Sequence, residues 1–224
     1  MVAHADDAEF GCSGTVAGWT RQGWQVVYVL CTDGSKGSDD TALTQEALVA
    51  IRRQEQLDAA QVLGLEDVAF LGHSDSFLMP SLELRRDIAR AIRKYKPDVL
   101  ICPNPNRDLD SGFYIGHPDH QAAGEAALSA AYPTARDRLT YPELLAEGLE
   151  PHKVREVWVM MGAERADHVV ELSEEDMERS ILALKAHTSQ VSPESADRMR
   201  EWKQQRGEKA GFNYAETYKR FRLA

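Results

Sequence analysis

The chain has 224 residues, 43% of them hydrophobic, which suits one globular domain with a single core. Its 36 acidic residues outnumber its 26 basic residues, and the formal net charge is −10. A partner with a phosphate backbone needs a basic protein face. The charge therefore argues against nucleic acid and favours a neutral or cationic small molecule.

Cysteine content and hydropathy bear on the compartment. The three cysteines, Cys12, Cys31 and Cys102, have no paired spacing, which is typical of reduced thiols in a cytoplasm. No apolar run approaches the roughly 20 residues that span a membrane, and no signal peptide is recognisable. We therefore expect a cytoplasmic protein without a membrane span. The sequence leaves assembly into a homo-oligomer open.

Strand and helix patterns alternate through the first 131 residues. Residues 25–31 (QVVYVLC) form an apolar, β-branched run that is typical of a buried parallel strand. Capping residues and prolines mark the ends of the helical patterns. The predicted strands are residues 25–31, 68–71 and 98–102, and the predicted helices are residues 10–21, 45–63, 82–95 and 120–131.

This alternation predicts an α/β fold with a Rossmann-like, mainly parallel sheet and helices on both faces. Sites in such sheets form beyond the carboxyl ends of the strands. His4, Asp33 and residues 103–110 each follow a predicted strand, so we expect them at one edge of the sheet. A strand before His4 has only three residues here, so either the chain starts upstream or this strand is unusually short.

The last third of the sequence is less regular. Residues 154–161 and 168–172 read as two further strands, and Ser173 with Asp176 resembles a capping box at a helix start. Helical patterns also surround residues 193–206 and 215–221. No repeat, low-complexity segment or linker divides the chain, which predicts a single domain over residues 1–224.

Two polar clusters far apart in the sequence carry the chemistry. His4-Ala5-Asp6-Asp7 and His117-Pro118-Asp119-His120 each place a histidine and an acidic or histidine side chain three residues apart. Two histidines and one carboxylate suit a catalytic zinc with an open position for water, and they suit ferrous iron as well. Spacing alone does not decide between Asp6 and Asp7 as ligand, nor between His117 and His120.

The surplus groups predict hydrolysis. A metal lowers the pKa of its bound water, a nearby carboxylate accepts the proton, and a second histidine can stabilise the oxyanion. Asp119 is available to orient that histidine. A simpler interpretation is that Asp6 and Asp7 only cap a helix, as adjacent aspartates often do. Two such clusters at predicted strand ends favour the metal site.

Several motifs resemble the PIG-L/LmbE-like deacetylases. His4-Ala5-Asp6-Asp7-Ala8-Glu9 followed by Gly11-Cys12-Ser13-Gly14-Thr15 is similar to the family's opening motif, and residues 117–120 are similar to its second metal motif. Further similar segments are Thr32-Asp33-Gly34, Arg52-Arg53-Gln54-Glu55, residues 186–190 and residues 211–216. The resemblance therefore extends over almost the whole chain.

The resemblance implies a zinc-dependent enzyme that removes acetyl from an N-acetylated amino sugar, a small-molecule substrate containing N-acetylglucosamine. It implies His4, Asp7 and His120 as metal ligands. It also implies Asp6 as general base and acid, His117 as the oxyanion partner with Asp119 behind it, and substrate contacts from Arg52 and Asp75.

Two departures from the family pattern affect the metal motifs. Ala5 stands where the family usually has proline, so we expect a looser loop with its ligands intact. Ile115 stands where some relatives carry a tyrosine, and Tyr114 is the nearest replacement. Two other functions stay open: hydrolysis of a non-sugar amide or ester, and a catalytically silent protein that binds metal or sugar.

Overall fold

A computed structural model describes residues 1–107, 109 and 115–223 as a mixed α/β fold. Most sequence-predicted elements are present, with ends shifted by a few residues. The helices are α1 (Asp7–Gly11), α2 (Ser13–Arg21), α3 (Gln45–Leu63), α4 (Leu82–Tyr95), α5 (Pro118–Ala131), α6 (Glu143–Ala146), α7 (Glu174–Lys185) and α8 (Pro193–Ala210), with a short 3-10 helix at Thr134–Arg136. The strands are β1 (Val27–Thr32), β2 (Asp67–His73), β3 (Val99–Cys102), β4 (Glu156–Met160), β5 (His168–Leu172) and β6 (Tyr214–Arg222).

The strands form two sheets. Strands β1 and β2 pair in parallel, and a four-stranded sheet has the order β3-β4-β6-β5. In the second sheet β3 and β4 are parallel, whereas β6 is antiparallel to both of its neighbours. The second sheet is therefore mixed, and the expectation of a mainly parallel sheet does not describe it.

The first three residues lie beside strands of both sheets. Val2 forms a parallel bridge with Leu30 of β1, and its amide donates to the Val29 carbonyl at 3.0 Å. The Met1 amino group donates to the Ile101 carbonyl of β3 at 2.7 Å. Residues 1–3 thus lie between β1 and β3, and His4 follows directly.

Helices pack on both faces of the second sheet. Successive residues of β3 point to opposite faces, so Leu100 packs with α4 and α5 while Ile101 packs with α2 and α3. Helix α5 comes close to the loop after β3, because a Cβ at Gly124 would lie 2.4 Å from the Pro103 carbonyl oxygen. This close approach brings the start of α5 to the carboxyl end of β3.

The prediction of a helix over residues 215–221 is wrong, since β6 occupies this segment as a central strand. Its Glu216 is fully buried, and the carboxylate accepts the Gly14 and Thr15 amides at 2.9 and 2.8 Å. The buried Lys203 ammonium lies 2.7 Å from the same carboxylate. These contacts hold the strand conformation and satisfy the free amides at the start of α2.

The single helix predicted over residues 10–21 is divided into α1 and α2 at Cys12, whose φ of −147° is not helical. The Glu216 carboxylate supplies the physical reason, because it caps a new helix start at Ser13. A Cβ at Gly14 would meet Leu172 Cδ1 at 2.5 Å, so this glycine permits close packing on the sheet.

Within the described ranges, no helix combines the length and apolar character that a membrane crossing requires.

Candidate metal centre

The candidate site lies where loops follow the parallel strands. His4 follows residues 1–3, which lie beside β1, Asp75 follows β2, and α5 is the helix that comes after β3 in the chain. His117 is the residue that caps α5, so His117 and His120 lie one turn apart at the start of that helix. The fold thus brings both sequence clusters to one place, as the strand ends predict.

Three potential ligand side chains, His4, Asp7 and His120, form a compact triangle in which each oxygen of Asp7 faces one histidine. His4 Nδ1 lies 3.2 Å from His120 Nε2, His120 Nε2 lies 3.0 Å from Asp7 Oδ1, and Asp7 Oδ2 lies 3.5 Å from His4 Nδ1. Zinc bonds of about 2.0–2.1 Å at tetrahedral angles put neighbouring ligand atoms roughly 3.3 Å apart. The contacts between these side chains are therefore about as long as the spacing of ligand atoms around one zinc, with Asp7 contacting each histidine through a different oxygen.

The second nitrogen of His4 is held by carboxylates. His4 Nε2 lies 3.1 Å from Asp119 Oδ2 and 3.2 Å from Asp75 Oδ1. Burial lowers the pKa of His4, but hydrogen bonds to Asp7 and Asp75 outweigh burial and raise this pKa to about 10. Carboxylates that hold one imidazole nitrogen leave the other free for a metal. His4 Nδ1 is accordingly the nitrogen that faces the triangle.

Two overlapping groups of side chains bring potential ligand atoms within 4.8 Å of one another. One contains His4, His117 and His120, and the other contains His4, Asp75, His117 and Asp119. The Asp75 and Asp119 oxygens already accept from His4 Nε2 and from main-chain amides. Asp75 and Asp119 are therefore engaged as hydrogen-bond partners of His4 and the main chain, which favours His4 Nδ1 and His120 Nε2 as metal-ligand atoms.

The Asp119 carboxylate is fully buried and supports His4. It accepts the Ser76 amide at 2.7 Å and the Leu78 amide at 3.2 Å, besides its contact with His4. Its distance to His117 Nδ1 is 4.0 Å, beyond hydrogen-bonding range. The sequence reasoning placed Asp119 behind His117, but the geometry directs the carboxylate to His4. An Asp119 behind His117 and an Asp119 on His4 differ only in the direction of side chains at the start of α5, which residue spacing does not determine.

His117 is oriented by the main chain. Its Nδ1 accepts the Asp119 amide at 3.1 Å, so the proton of a neutral ring resides on Nε2. Burial and the nearby His4 lower the pKa of His117, which favours the neutral form of the ring. The ring lies 4.7 Å from the His4 ring, centre to centre. The His117 ring therefore lies beside the triangle with its Nδ1 held by the main chain.

Asp6 has a backbone conformation that separates it from Asp7. Its φ is +87°, in the left-handed region, directly before α1. Asp7 faces His4 and His120, whose positive charges hold the pKa of Asp7 below its usual range against burial. Burial and the neighbouring Asp7 carboxylate raise the pKa of Asp6 to about 7. The pKa values of the two adjacent carboxylates are thus shifted in opposite directions, as is common for pairs of carboxylates in active sites.

The two residues that the resemblance implies as substrate contacts are buried. Asp75 is 3% exposed and accepts the Lys36 amide at 3.2 Å in addition to its contact with His4. Arg52 is 5% exposed, and its guanidinium donates to the main-chain carbonyls of Ala5, Gly34 and Lys36. Both side chains therefore support loops of the centre.

A second buried histidine lies near Asp6, as its electrostatic effect on that carboxylate indicates. His187 is fully buried, and its Nε2 lies 3.3 Å from Glu9 Oε2, while Gln56 donates to Glu9 Oε1 at 3.2 Å. His187 therefore packs inside the protein beside Glu9. Ile115 is 73% exposed, whereas Tyr114 lies outside the described residues.

Comparison with known families gives this site a context. The family model described as GlcNAc-PI de-N-acetylase, PIG-L, matches residues 1–131, which include both metal motifs. The chain belongs to the PIG-L family. The family resemblance noted from the sequence motifs is thereby confirmed.

Similar proteins carry related names. Diacetylchitobiose deacetylase of Thermococcus kodakarensis is 32% identical over 187 residues, which cover 84% of this PIG-L chain and 67% of that protein. A probable N-acetyl-alpha-D-glucosaminyl L-malate deacetylase 2 of Bacillus anthracis is 28% identical over 208 residues, 90% of this chain and 84% of that protein. The solved N,N'-diacetylchitobiose deacetylase of Pyrococcus horikoshii matches 98% of this chain and 81% of its own, with 28% identity and a TM-score of 0.88.

Proposed function

We propose that this chain is a metal-dependent hydrolase that removes the acetyl group from an N-acetylglucosamine unit of a small molecule. The observation that carries the proposal is the triangle of His4 Nδ1, Asp7 and His120 Nε2, with sides of 3.0 to 3.5 Å, in a chain of the PIG-L family. The similar proteins are deacetylases by name, and N-acetylglucosamine units are common to the substrates named.

The donor set fits zinc, with ferrous iron as the alternative. His4, Asp7 and His120 would hold the ion through two imidazole nitrogens and one carboxylate, which both metals accept. When bound, the metal supplies Lewis-acid polarisation of the acetyl carbonyl and acidifies a water molecule. The carboxylates on His4 Nε2 would make that histidine a more basic ligand.

Asp6 is the residue that we assign as general base and then general acid. A base must be able to accept a proton near neutral pH and return it to the departing amine. A pKa raised to about 7 suits both halves of that cycle. Asp7 is unsuited to the task, because its oxygens face His4 and His120.

His117 is the residue that we assign to the oxyanion. Its neutral ring, held at Nδ1 by the Asp119 amide, would donate Nε2–H to the oxygen on which charge develops. Asp119 would contribute twice, by its amide to His117 and by its carboxylate to His4. From the family resemblance we also propose that Asp75 contacts the sugar. Its carboxylate oxygens in addition accept from His4 and from the Lys36 amide.

We also propose that the chain is one domain over residues 1–224 with a Rossmann-like, mainly parallel sheet. Residues 1–3 would join the two sheets, because they contact β1 on one side and β3 on the other.

We propose a cytoplasmic location as well, which is supported by three buried free thiols, Cys12, Cys31 and Cys102.

A substrate panel tests the function. Zinc-loaded protein would be incubated with N-acetylglucosamine, N,N'-diacetylchitobiose, and acylated amines and esters without a sugar, and acetate and free amine would be quantified. We expect acetate from the acetylated sugars and at least 100-fold less from an Asp6→Asn variant. Cleavage of a non-sugar acyl substrate alone would refute the substrate class, and no acetate from any of them would support a silent binding protein.

A further inference from the structure

We propose that Ser76 is a positioning residue of the metal centre, which uses its main-chain amide and its hydroxyl to keep two carboxylates on Nε2 of His4. The inference rests on the proposed metal site, in which the other nitrogen of His4 is a ligand. Ser76 lies in the loop after β2 and is not one of the proposed ligands. Its role is to orient His4 through the two acidic neighbours of that histidine.

Two carboxylate oxygens converge on a single nitrogen atom. Asp119 Oδ2 lies 3.1 Å and Asp75 Oδ1 lies 3.2 Å from His4 Nε2. An imidazole nitrogen carries at most one proton, so it donates at full strength to only one of the two oxygens. Two carboxylates that share a site also repel each other. Further hydrogen-bond donors would therefore stabilise this arrangement.

Ser76 supplies a donor to each of these oxygens. Its amide donates to Asp119 Oδ2 at 2.7 Å, and its hydroxyl donates to Asp75 Oδ1 at 3.3 Å. These are the same two oxygens that contact His4 Nε2. One residue therefore bridges both acidic neighbours of the histidine, and hydrogen bonds to ionised acceptors are stronger than those between neutral groups. The two donors offset the repulsion between the carboxylates.

The main-chain conformation of Ser76 makes this bridge possible. The Phe77 amide donates to the Ser74 carbonyl at 3.3 Å, so Ser76 is the third residue of a four-residue turn. Its φ is +68°, in the left-handed region that favours glycine. Glycine would fit this turn with less strain, but it has no hydroxyl. Serine adds the one group that glycine lacks at this position, and that group reaches Asp75.

Strained backbone of this kind is concentrated in the candidate centre. Among the residues that the structure describes, four that are not glycine have a positive φ, and two of these are Asp6 and Ser76. Such strain persists where the surrounding contacts hold the chain in place, and it is common at functional sites. The contacts of Ser76 with the buried Asp75 and Asp119 carboxylates hold it here.

Removal of the hydroxyl tests this role by zinc binding. A direct partner of a ligating histidine typically contributes 10–100-fold to metal affinity or activity. The hydroxyl acts one step farther away, so zinc affinity of metal-free Ser76→Ala, measured by chelator competition, should fall about 3–10-fold. Ser74→Ala is the matched control, because Ser74 is exposed in the same turn and its side chain has no hydrogen bond among the described residues. It should leave zinc affinity unchanged.

Two further variants separate positioning from a general loss of structure. In an Asp75→Ala background the acceptor of the hydroxyl is absent, so the addition of Ser76→Ala should lower zinc affinity by less than about twofold. Ser76→Gly should lose zinc affinity as Ser76→Ala does. It should nevertheless unfold at a higher urea concentration than Ser76→Ala, because glycine relieves the strain of the positive φ.

Wild-type zinc affinity in Ser76→Ala would overturn the inference, and so would an equal loss in Ser74→Ala. An undiminished loss in the Asp75→Ala background would also overturn it. At saturating zinc, KM of Ser76→Ala for N-acetylglucosamine and N,N'-diacetylchitobiose should stay within about threefold of wild type. A larger rise in KM with unchanged zinc affinity would make Ser76 a substrate contact and refute the positioning role. The zinc measurement needs no substrate, so an absence of deacetylation would count against the proposed function and not against this role of Ser76.

Discussion

Removal of the Asp119 carboxylate is predicted to weaken both the fold and zinc binding. In Asp119→Ala the amides of Ser76 and Leu78 lose their acceptor inside the protein, where Asp119 is fully buried. Each orphaned buried amide costs about 1–3 kcal/mol, so the metal-free protein should lose about 2–6 kcal/mol of unfolding free energy. Urea unfolding of the metal-free variant measures this loss.

The same substitution removes a carboxylate from His4 Nε2, at 3.1 Å. Loss of such a partner typically lowers metal affinity 10–100-fold, which is about 1.4–2.7 kcal/mol. Chelator competition measures this second effect. Asp176→Ala is the control, because Asp176 is also buried and its side chain pairs with Arg21 and Ser173, which are not residues of the metal centre. It should lower stability with unchanged zinc affinity. Wild-type zinc affinity in folded Asp119→Ala would refute the assignment of Asp119 to His4.

Three further predictions concern other residues. Asp6→Ala should bind zinc as wild type does while turnover falls at least 100-fold, and full turnover would remove Asp6 as the base. Lys203→Met should cost about 3–5 kcal/mol in urea unfolding, because the buried Glu216 loses its cation; no loss would contradict that pairing. Zinc affinity should rise with pH between 6 and 8, because contacts with carboxylates raise the pKa values of His4 and His120 and zinc must displace their protons; a flat profile would contradict this.

Local sequence signals predicted the helices well. Helix α3 has the predicted bounds, because the Thr44 side chain accepts the Ala47 amide at its start and Gly64 takes a left-handed φ at its end. The ends of α4 and the start of α7 follow the same kind of signal. Such capping depends on residues that are close in sequence, so a single sequence is enough to predict it.

Long-range contacts account for the failures. Strand β6 was predicted as a helix because its buried residues do not alternate with exposed ones, a consequence of pairing with β4 and β5 and of cover on both faces. The division at Cys12 has its cause in Glu216, about 200 residues away. Neither contact has a local signature.

The sequence predicts which side chains meet at the candidate site but not how they are connected. Strand ends and motif spacing predict that the two clusters meet, and the family resemblance implies His4, Asp7 and His120 as the ligands; the structure places these three side chains in contact. The direction of the Asp119 carboxylate and the burial of Arg52 depend on how loops from four parts of the chain meet. Motifs in the sequence therefore identify such residues but do not predict the direction in which their side chains point.

Titration of metal-free protein with zinc, followed by acetate release from N,N'-diacetylchitobiose, tests the proposed metal-dependent deacetylation most directly. We predict no acetate without metal, a linear rise in rate up to one zinc per chain, and no such rise in a His120→Ala variant. Acetate release that is independent of metal, or no acetate at any zinc content, would contradict the proposed function.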